Sequence, residues 1–182
     1  MDAPNVASDM IGEVGTRLAH SAAVAAQAEA IAHLVEEPWA SALVDAAWLH
    51  DVGYAPTLAS TGFHPLDGAR WLRARRWPDP VCRLVAWHTR AGKEAELRGL
   101  LAQLQAEFEP PPAMAQAALV WADLTSLPTG ERCTAEQRIS EVLARYPTDS
   151  VVHQATTSSR TELLDMARQI DSRLGPQLEG SR

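Results

Sequence analysis

AAWLHDVGY, residues 46–54, is the stretch of sequence that decides the fold. It places a histidine-aspartate doublet at the end of an apolar, helix-like segment, where a buried imidazole or carboxylate needs a partner. The chain has six histidines, and three others besides the one in the doublet lie in or beside similar segments. With one more aspartate they form an ordered set of six side chains: His20, His50, Asp51, His64, His88 and Asp123.

These six side chains have the chemistry of metal ligands. Histidine nitrogens and carboxylate oxygens are the ligands of divalent metals such as zinc, manganese and iron. Six ligands are more than a single tetrahedral metal requires. The set therefore predicts two metals that share a carboxylate.

Five short words of sequence carry a resemblance to a known family. In chain order they are RLAHS at 17–21, LHDVG at 49–53, GFHPLDGA at 62–69, VAWHT at 85–89 and VWAD at 120–123. The pattern resembles the HD-domain superfamily of metal-dependent phosphohydrolases, and within it the binuclear branch with ligands in the order H…HD…H…H…D. The resemblance runs from about residue 17 to residue 126.

The resemblance implies an HD-domain helical bundle with the metal site in its core and all six side chains as ligands. Asp51 would be catalytic and bridge the two metals, His50 would bind one of them, and His64 and His88 would hold the second. The metals would be divalent transition metals drawn from iron, manganese, cobalt, nickel and zinc. The implied reaction is hydrolysis of a phosphoester or phosphoanhydride in a small phosphorylated metabolite or nucleotide, with a hydroxide between the metals as the nucleophile.

Nearby cations are candidates for binding the substrate phosphate. Arg17 lies three residues before His20, so the two side chains share one face of a helix. We expect Arg17 to be catalytic through its contact with phosphate. Arg90 and Lys93 follow the fourth candidate histidine, and they could bind phosphate oxygens or belong to a solvated turn.

The sequence indicates the roles of three other polar residues less specifically. Asp67 follows His64 by one helical turn and could orient that imidazole, contact substrate, or be an ordinary carboxylate at a helix N-terminus. His33 comes 13 residues after His20, which places it about 220° around the helix and away from the site. We expect His33 and His153 to be structural or exposed.

Two functions other than hydrolysis are compatible with this ligand set. One is a mixed-valent diiron oxygenase of the same fold, since ligand type does not separate the two branches. The other is a non-catalytic sensor, against which the intact ligand set argues. Hydrolysis is preferred as the commoner use of the fold. Tyr54 follows the doublet where many relatives carry lysine, which weakens assignment to a specific nucleotidase.

The helix pattern predicts an all-α protein independently of the resemblance. Apolar residues recur at threes and fours, and no stretch alternates with period two for long enough to indicate a strand. Residues 52–62 are rich in turn formers and predict a loop. Thr134 and Gln137 have capping-box spacing, and Ser158 or Ser159 is expected to cap the last helix. The predicted helices span residues 17–35, 39–50, 66–76, 80–89, 94–108, 114–124, 134–145, 149–156 and 159–174.

We expect residues 1–182 to form a single domain. Its motif-bearing core would span about 17–126, and C-terminal helices at 134–175 would pack on that core. Residues 131–182 carry no recognisable motif, so they are expected to pack the core or to form an oligomer interface, and a homodimer is possible.

Composition narrows the classes of partner. The 182 residues are 46% hydrophobic and 21% charged, which is typical of a globular protein. A net charge of −7 disfavours stable binding to nucleic acid or to an anionic membrane, and leaves a small phosphorylated molecule as the expected substrate. Cys82 and Cys133 are far apart and unpatterned, as expected for reduced thiols in the cytoplasm. Neither a signal peptide nor an apolar run of membrane-spanning length is evident.

Overall fold

The computed structural model describes residues 2–175, and these are mostly helical. Within that range no β-strand occurs, and the one isolated bridge pairs Ser126 with Arg132. The all-α prediction is therefore confirmed. The helices are α1 Ala3–Ile11, α2 Arg17–Ile31, α3 Trp39–Leu49, α4 His64–Ala74, α5 Asp79–Ala86, α6 Ala91–Leu97, α7 Leu101–Glu107, α8 Ala113–Leu124, α9 Ala135–Arg145 and α10 Val151–Leu174. Short 3₁₀ turns occur at Ala32–Leu34, Val52–Tyr54, Pro56–Leu58 and His88–Arg90.

Two apolar helices form the centre of the bundle. Helix α3 packs against α1, α2, α5 and α8, and helix α8 also packs against α2 and α10. Every residue from 115 to 124 on α8 is buried, which is the pattern of a helix surrounded by protein. Because the last turn of α8 and the end of α3 lie in this core, the polar side chains that they carry are buried as well.

Small residues bring α2 and α3 close together. Ala25 and Ala28 on α2 and Ala42, Ala46 and Ala47 on α3 are all buried. The distance between two packed helices falls with the size of the side chains between them. The first turn of α2 therefore comes near the C-terminal end of α3, where two of the candidate ligands lie.

The predicted helix at 94–108 is wrong as one continuous element, because it breaks at Gly99. This glycine has φ +72°, a left-handed conformation that ends helix α6. The Leu100 N–H donates to the Ala95 carbonyl at 2.8 Å, and the Gly99 N–H donates to the Glu96 carbonyl at 3.0 Å. These are the two hydrogen bonds of a Schellman motif. The chain then restarts as α7.

The two predicted helices at 149–156 and 159–174 are one helix, α10. Ser150 caps it by accepting a hydrogen bond from the His153 N–H, so the predicted cap at Ser158 or Ser159 is wrong. The Ser158 hydroxyl instead donates to the carbonyl of Gln154 at 2.8 Å. A serine that bonds back to the preceding turn in this way sits inside a helix without ending it.

Other boundaries shift by a few residues. Helix α4 begins at His64, two residues before the predicted start, with proline in its first turn. The predicted helix at 80–89 ends at Ala86, and a 3₁₀ turn follows it. The capping box of Thr134 with Gln137 is present as predicted, because each side chain bonds to the other residue's backbone N–H. Helix α1 was not predicted.

Candidate metal centre

All six candidate ligands converge on one region of the core, and they divide into two triads. The first triad consists of His20, His50 and Asp123, and the second of Asp51, His64 and His88. Within each triad the ligand atoms lie within 4.8 Å of one another. Each triad offers two imidazole nitrogens and one carboxylate, a donor set that suits divalent transition metals.

The first triad joins three core helices. His20 lies in the first turn of α2, His50 immediately follows α3, and Asp123 lies in the last turn of α8. The His20 Nε2 is 3.0 Å from Asp123 Oδ1, and the ring centroids of His20 and His50 are 5.3 Å apart. All three side chains are buried.

The second triad lies beside the first, and Asp51 is the residue of the second triad that approaches both. Asp51 Oδ1 is 3.6 Å from His50 Nε2 and also 3.6 Å from His64 Nε2, so one carboxylate oxygen lies between a histidine of each triad. His64 Nε2 and His88 Nε2 are 3.1 Å apart. Nitrogens of two neutral imidazoles approach this closely when they share a proton or a cation.

Backbone carbonyls orient the imidazoles. His50 Nδ1 donates to the Ala47 carbonyl at 2.8 Å, and His88 Nδ1 donates to the Val85 carbonyl at 2.6 Å. A carbonyl only accepts, so in each ring Nδ1 carries the hydrogen and the lone pair of Nε2 faces the centre. This is the tautomer that binds metal through Nε2.

One ligand atom of the triads is buried without a hydrogen-bond partner within the part of the chain that the structure covers. His50 Nε2 is buried and makes no hydrogen bond. A buried polar atom left without a partner costs about 1–3 kcal/mol. Burial also lowers the pKa of His50, against the opposing effect of Asp51, so that the ring is neutral and able to bind a cation. The residues present therefore fit a bound metal.

Asp51 is ionised despite its burial. Burial alone would raise its pKa, but His50 and Arg17 outweigh this effect and hold the pKa well below the usual range. Arg17 Nη1 donates to Asp51 Oδ2 at 2.7 Å. Burial opposes the charge on Arg17, and Asp51 overcomes that effect and raises the pKa of the guanidinium.

Tyr54 contacts both Arg17 and His64 of the second triad. The Arg17 guanidinium lies 3.2 Å from the centroid of the Tyr54 ring, and the ring stacks on His64 with centroids 3.9 Å apart. This chain therefore has an aromatic ring between the Arg17 cation and the His64 imidazole. The stack holds both neighbours in place.

A glycine contact fixes the spacing between the doublet and α4. A Cβ added at Gly53 would lie 2.0 Å from the His64 carbonyl oxygen and 2.8 Å from the Gly68 nitrogen. The turn after the doublet therefore presses against the start of α4, backbone on backbone. Only glycine permits this approach, which brings His64 to Asp51.

Other sequence candidates lie away from the ligands. The Asp67 carboxylate accepts hydrogen bonds from the N–H groups of Ser60 and Thr61, so it holds the loop at 60–61 rather than His64. Lys93 pairs with Glu96 at 2.7 Å and does not line the cavity described below. The side chain of Arg90 lies outside the described residues. His33 is exposed and His153 is partly exposed, and neither belongs to a triad.

The triads open onto a cavity of about 390 Å³ whose far side was not foreseen from the sequence. Helices α9 and α10 supply that side, although residues 131–182 carry no recognisable motif. Helix α10 packs against α8 and α9. The lining residues of α9 and α10 include Arg138, Ile139, Val142, Val152, Ala155 and Leu163.

Two further residues reach the ligands without having been predicted to do so. The Thr89 hydroxyl donates to Asp123 Oδ2, and Thr89 has φ 45°, a left-handed conformation that is strained for a β-branched residue. Arg138 is 8% exposed, donates to Glu141, and places Nη2 3.9 Å from Asp123 Oδ1.

A signal for Arg138 was present in the sequence. Residues 135, 138, 139 and 142 have the spacing of a core-facing helical stripe, and arginine occupies one of these positions. A charge in an apolar stripe marks a place where the helix faces a polar site. The strained turn at Thr89 had no comparable signal, because it depends on the carboxylate 34 residues later that receives the hydroxyl.

Comparison with models of protein families matches residues 17–135 to the model described as HD domain. No curated protein and no solved structure matches the chain. Within residues 2–175 no helix has the length and apolarity needed to cross a membrane.

Proposed function

Because the chain belongs to the HD-domain family, we propose that it is a metal-dependent phosphohydrolase acting on a phosphoester or phosphoanhydride of a small phosphorylated metabolite or nucleotide. The two triads would hold two divalent transition metals, with Asp51 shared between them. The observation that carries this proposal is the buried His50 Nε2, a ligand atom of the first of the two His₂Asp triads that has no hydrogen-bond partner in the chain that the structure describes.

Two metals bound there would supply an activated water and would neutralise charge on a phosphoryl oxygen. The protein's own contribution begins with Asp51, which is ionised and positioned 3.6 Å from one histidine of each triad. Backbone carbonyls accept from Nδ1 of His50 and from Nδ1 of His88, which leaves Nε2 of each ring facing the triads. Thr89 fixes the second oxygen of Asp123. These contacts keep the ligand positions in place before substrate arrives.

Arg17 is the residue that we propose for binding the substrate phosphate. Its guanidinium lines the cavity beside Asp51, and its side chain is 25% exposed. Asp51 accepts a hydrogen bond from Nη1 of Arg17. The guanidinium has further N–H donors, arranged in a planar fork that matches the oxygens of a phosphate group. The stack on Tyr54 sets the plane of that fork. Arg17 would therefore orient the phosphoryl group toward the triads.

The proposal is tested by metal analysis followed by anaerobic assays. The protein is purified without added metal, its metal content is measured, and a panel of phosphorylated substrates is incubated with it without oxygen. We expect up to two transition metals per chain and release of inorganic phosphate supported by manganese, cobalt or nickel. Exclusive iron content, a mixed-valent EPR signal that changes with an organic substrate, and no activity on any phosphoester would replace the hydrolase with the oxygenase.

The remaining expectations stay predictions. A single domain is supported by the packing of α9 and α10 on α8. Location in the cytoplasm rests on the two unpaired cysteines, and the absence of stable nucleic-acid binding rests on the net negative charge. A homodimer is tested by the mass of the protein in solution.

A further inference from the structure

On the side of the cavity away from the triads, helices α9 and α10 contribute apolar side chains beside the polar residues Arg138, Arg145, Thr156 and Ser159. Helix α10 presents Val152, Ala155 and Leu163, which are separated by three and by eight residues and therefore lie on one face of the helix. Helix α9 adds Ile139 and Val142 from one face in the same way. We call these five side chains the apolar wall. It faces the ligand triads across the same cavity.

The cavity is larger than a phosphate group needs. Its volume of about 390 Å³ corresponds to roughly a dozen water molecules at about 30 Å³ each. It also lies within the range of pockets that bind small organic molecules. A phosphoryl group at the triads would leave the apolar wall in contact with water, whereas an attached apolar group would cover it and release that water.

The charges that line the cavity do not favour a polyphosphate. The lining contains Arg17, Arg138 and Arg145, together with the carboxylates Asp51, Glu94 and Asp123, and so has no net charge apart from the histidines. Each of the three arginines also pairs with a carboxylate of the chain, Arg17 with Asp51 and the other two with Glu141. No lysine lines the cavity among the residues that the structure covers. Apart from the two proposed metals, the described lining therefore leaves no unpaired cation for the second and third phosphates of a polyphosphate.

We propose that the substrate is an amphipathic phosphomonoester whose phosphoryl group binds at the triads beside Arg17 and whose alkyl or aryl group packs on the apolar wall. This inference rests on the proposed hydrolase function and narrows its substrate class. The reaction breaks the P–O bond to the organic group. The oxygen of water adds to phosphorus, and a proton goes to the leaving alkoxide, so the products are inorganic phosphate and an apolar alcohol.

A series of esters that differ only in chain length tests the proposal. Methyl, butyl, hexyl and octyl phosphate, and a nucleoside 5′-monophosphate, are compared with the metal-loaded protein by phosphate release. We expect kcat/KM to rise about fourfold per added methylene until the wall is covered, the factor that corresponds to about 0.8 kcal/mol per buried CH₂. Equal kcat/KM across the alkyl series, or a preference for the nucleotide, would overturn the inference and leave the hydrolase in place.

Substitutions at the apolar wall identify where the organic group binds. Val152→Thr replaces a methyl with a hydroxyl of similar size, and should lower kcat/KM for hexyl phosphate about three- to tenfold while methyl phosphate is unaffected. The control is Val151→Thr, because Val151 is the same residue type, is also half-buried, and does not line the cavity. Ala155→Leu fills the cavity and should abolish the chain-length dependence. Equal effects of the two threonine variants would contradict the assignment.

Binding gives a readout that does not depend on turnover. Methyl- and octylphosphonate contain a C–P bond that a phosphoesterase does not cleave, and their binding is followed by anaerobic calorimetry at several temperatures. Octylphosphonate should bind more tightly than methylphosphonate, with a more negative heat-capacity change, and Val152→Thr should reduce this difference. Chain-length-dependent binding without phosphate release from any ester would reject the hydrolase and keep the apolar pocket. Binding that does not depend on chain length would reject the pocket.

Discussion

The two sides of the cavity are built in opposite ways. On the triad side, the ends of α2, α3, α4 and α8 and the 3₁₀ turn that begins at His88 hold polar groups, several of which have a specific partner: a carbonyl for Nδ1 of His50, a carbonyl for Nδ1 of His88, a hydroxyl for Asp123. On the side of α9 and α10, the lining includes an apolar stripe whose members need only size and apolarity. The difference teaches that substitutions should act in an all-or-none manner on the first side and in a graded manner on the second.

The largest expected effect is that of Asp51→Asn on the triad side. Removing the carboxylate charge shared by both triads should lower kcat by about 10³-fold, a scale typical of losing a central electrostatic group. Metal content should also fall at both positions, measured by elemental analysis. The matched control is Asp45→Asn, the same change at a half-buried carboxylate on α3 outside the site. A variant with full metal content and activity would show that Asp51 is not a shared ligand.

The next effect in size is that of Arg17→Ala. Loss of a charge-assisted hydrogen bond should reduce kcat/KM by about 10- to 150-fold, equivalent to about 1.5–3 kcal/mol. Metal content at saturating metal should stay normal, because Arg17 is not one of the six candidate ligands, while metal affinity should fall as at Thr89, because Arg17 also holds a ligand carboxylate. Arg17→Lys keeps the charge and loses the planar fork and the stack on Tyr54, so it should recover only part of the activity. Full recovery with lysine would reduce the role of Arg17 to charge alone.

At Thr89, a substitution is expected to lower metal affinity without lowering the stability of the metal-free protein. Thr89→Gly relieves a left-handed φ of 45°, yet it removes the hydroxyl that binds Asp123. Metal affinity should fall about tenfold, which is the lower end of the range seen when a residue that hydrogen-bonds a metal ligand is replaced. The free energy of unfolding of the metal-free protein should stay level or rise by up to about 1 kcal/mol. Thr89→Ala removes the hydroxyl without relieving the backbone. If the two variants have equal stability, the left-handed turn is not strained.

The smallest effect is expected on the apolar wall. Val142→Ala removes two methyl groups from a half-buried position and should lower kcat/KM for the longest tolerated ester about fivefold, consistent with about 1 kcal/mol of apolar burial. Metal content and activity on methyl phosphate should be unchanged. If Val142→Ala instead depletes the metals, the two sides of the cavity are not independent, and the contrast between them disappears.

The triad side was largely predictable from the sequence because its residues occur in short local words. The structure brings together the six side chains that these words singled out: His20, His50, Asp51, His64, His88 and Asp123. The helices near them follow apolar periodicity. Local rules also identified the capping box at Thr134. The resemblance implied the division into triads, with Asp51 shared and His64 and His88 on the second metal, whereas residue patterns alone did not, because the division depends on how α2, α3, α4, α8 and the turn at His88 meet in space.

The side of the cavity formed by α9 and α10 was not predictable, because its apolar stripe is compatible with either a buried core face or the wall of a cavity. Residues 139, 142, 152, 155 and 163 have the spacing of any core-facing helix, and only the tertiary structure shows that part of this face lines a cavity. The errors in helix limits have similar causes. Gly99 ends a helix through two backbone hydrogen bonds. The polar residues at 157–159 suggested a break, but the helix continues through them, and the Ser158 hydroxyl donates to the Gln154 carbonyl in the preceding turn.

The backbone contact between Gly53 and the start of α4 restricts how this sequence can diverge. The smallest possible addition at Gly53, a single methyl, already overlaps the His64 carbonyl oxygen. A second-site change cannot make room, because the neighbour Gly68 has no side chain to lose and its own Cβ would meet Gly53 N at 3.0 Å. Positions 53 and 68 therefore have no compensating pair of substitutions. In a saturation library selected for activity, both should return as invariant glycines that show no covariation.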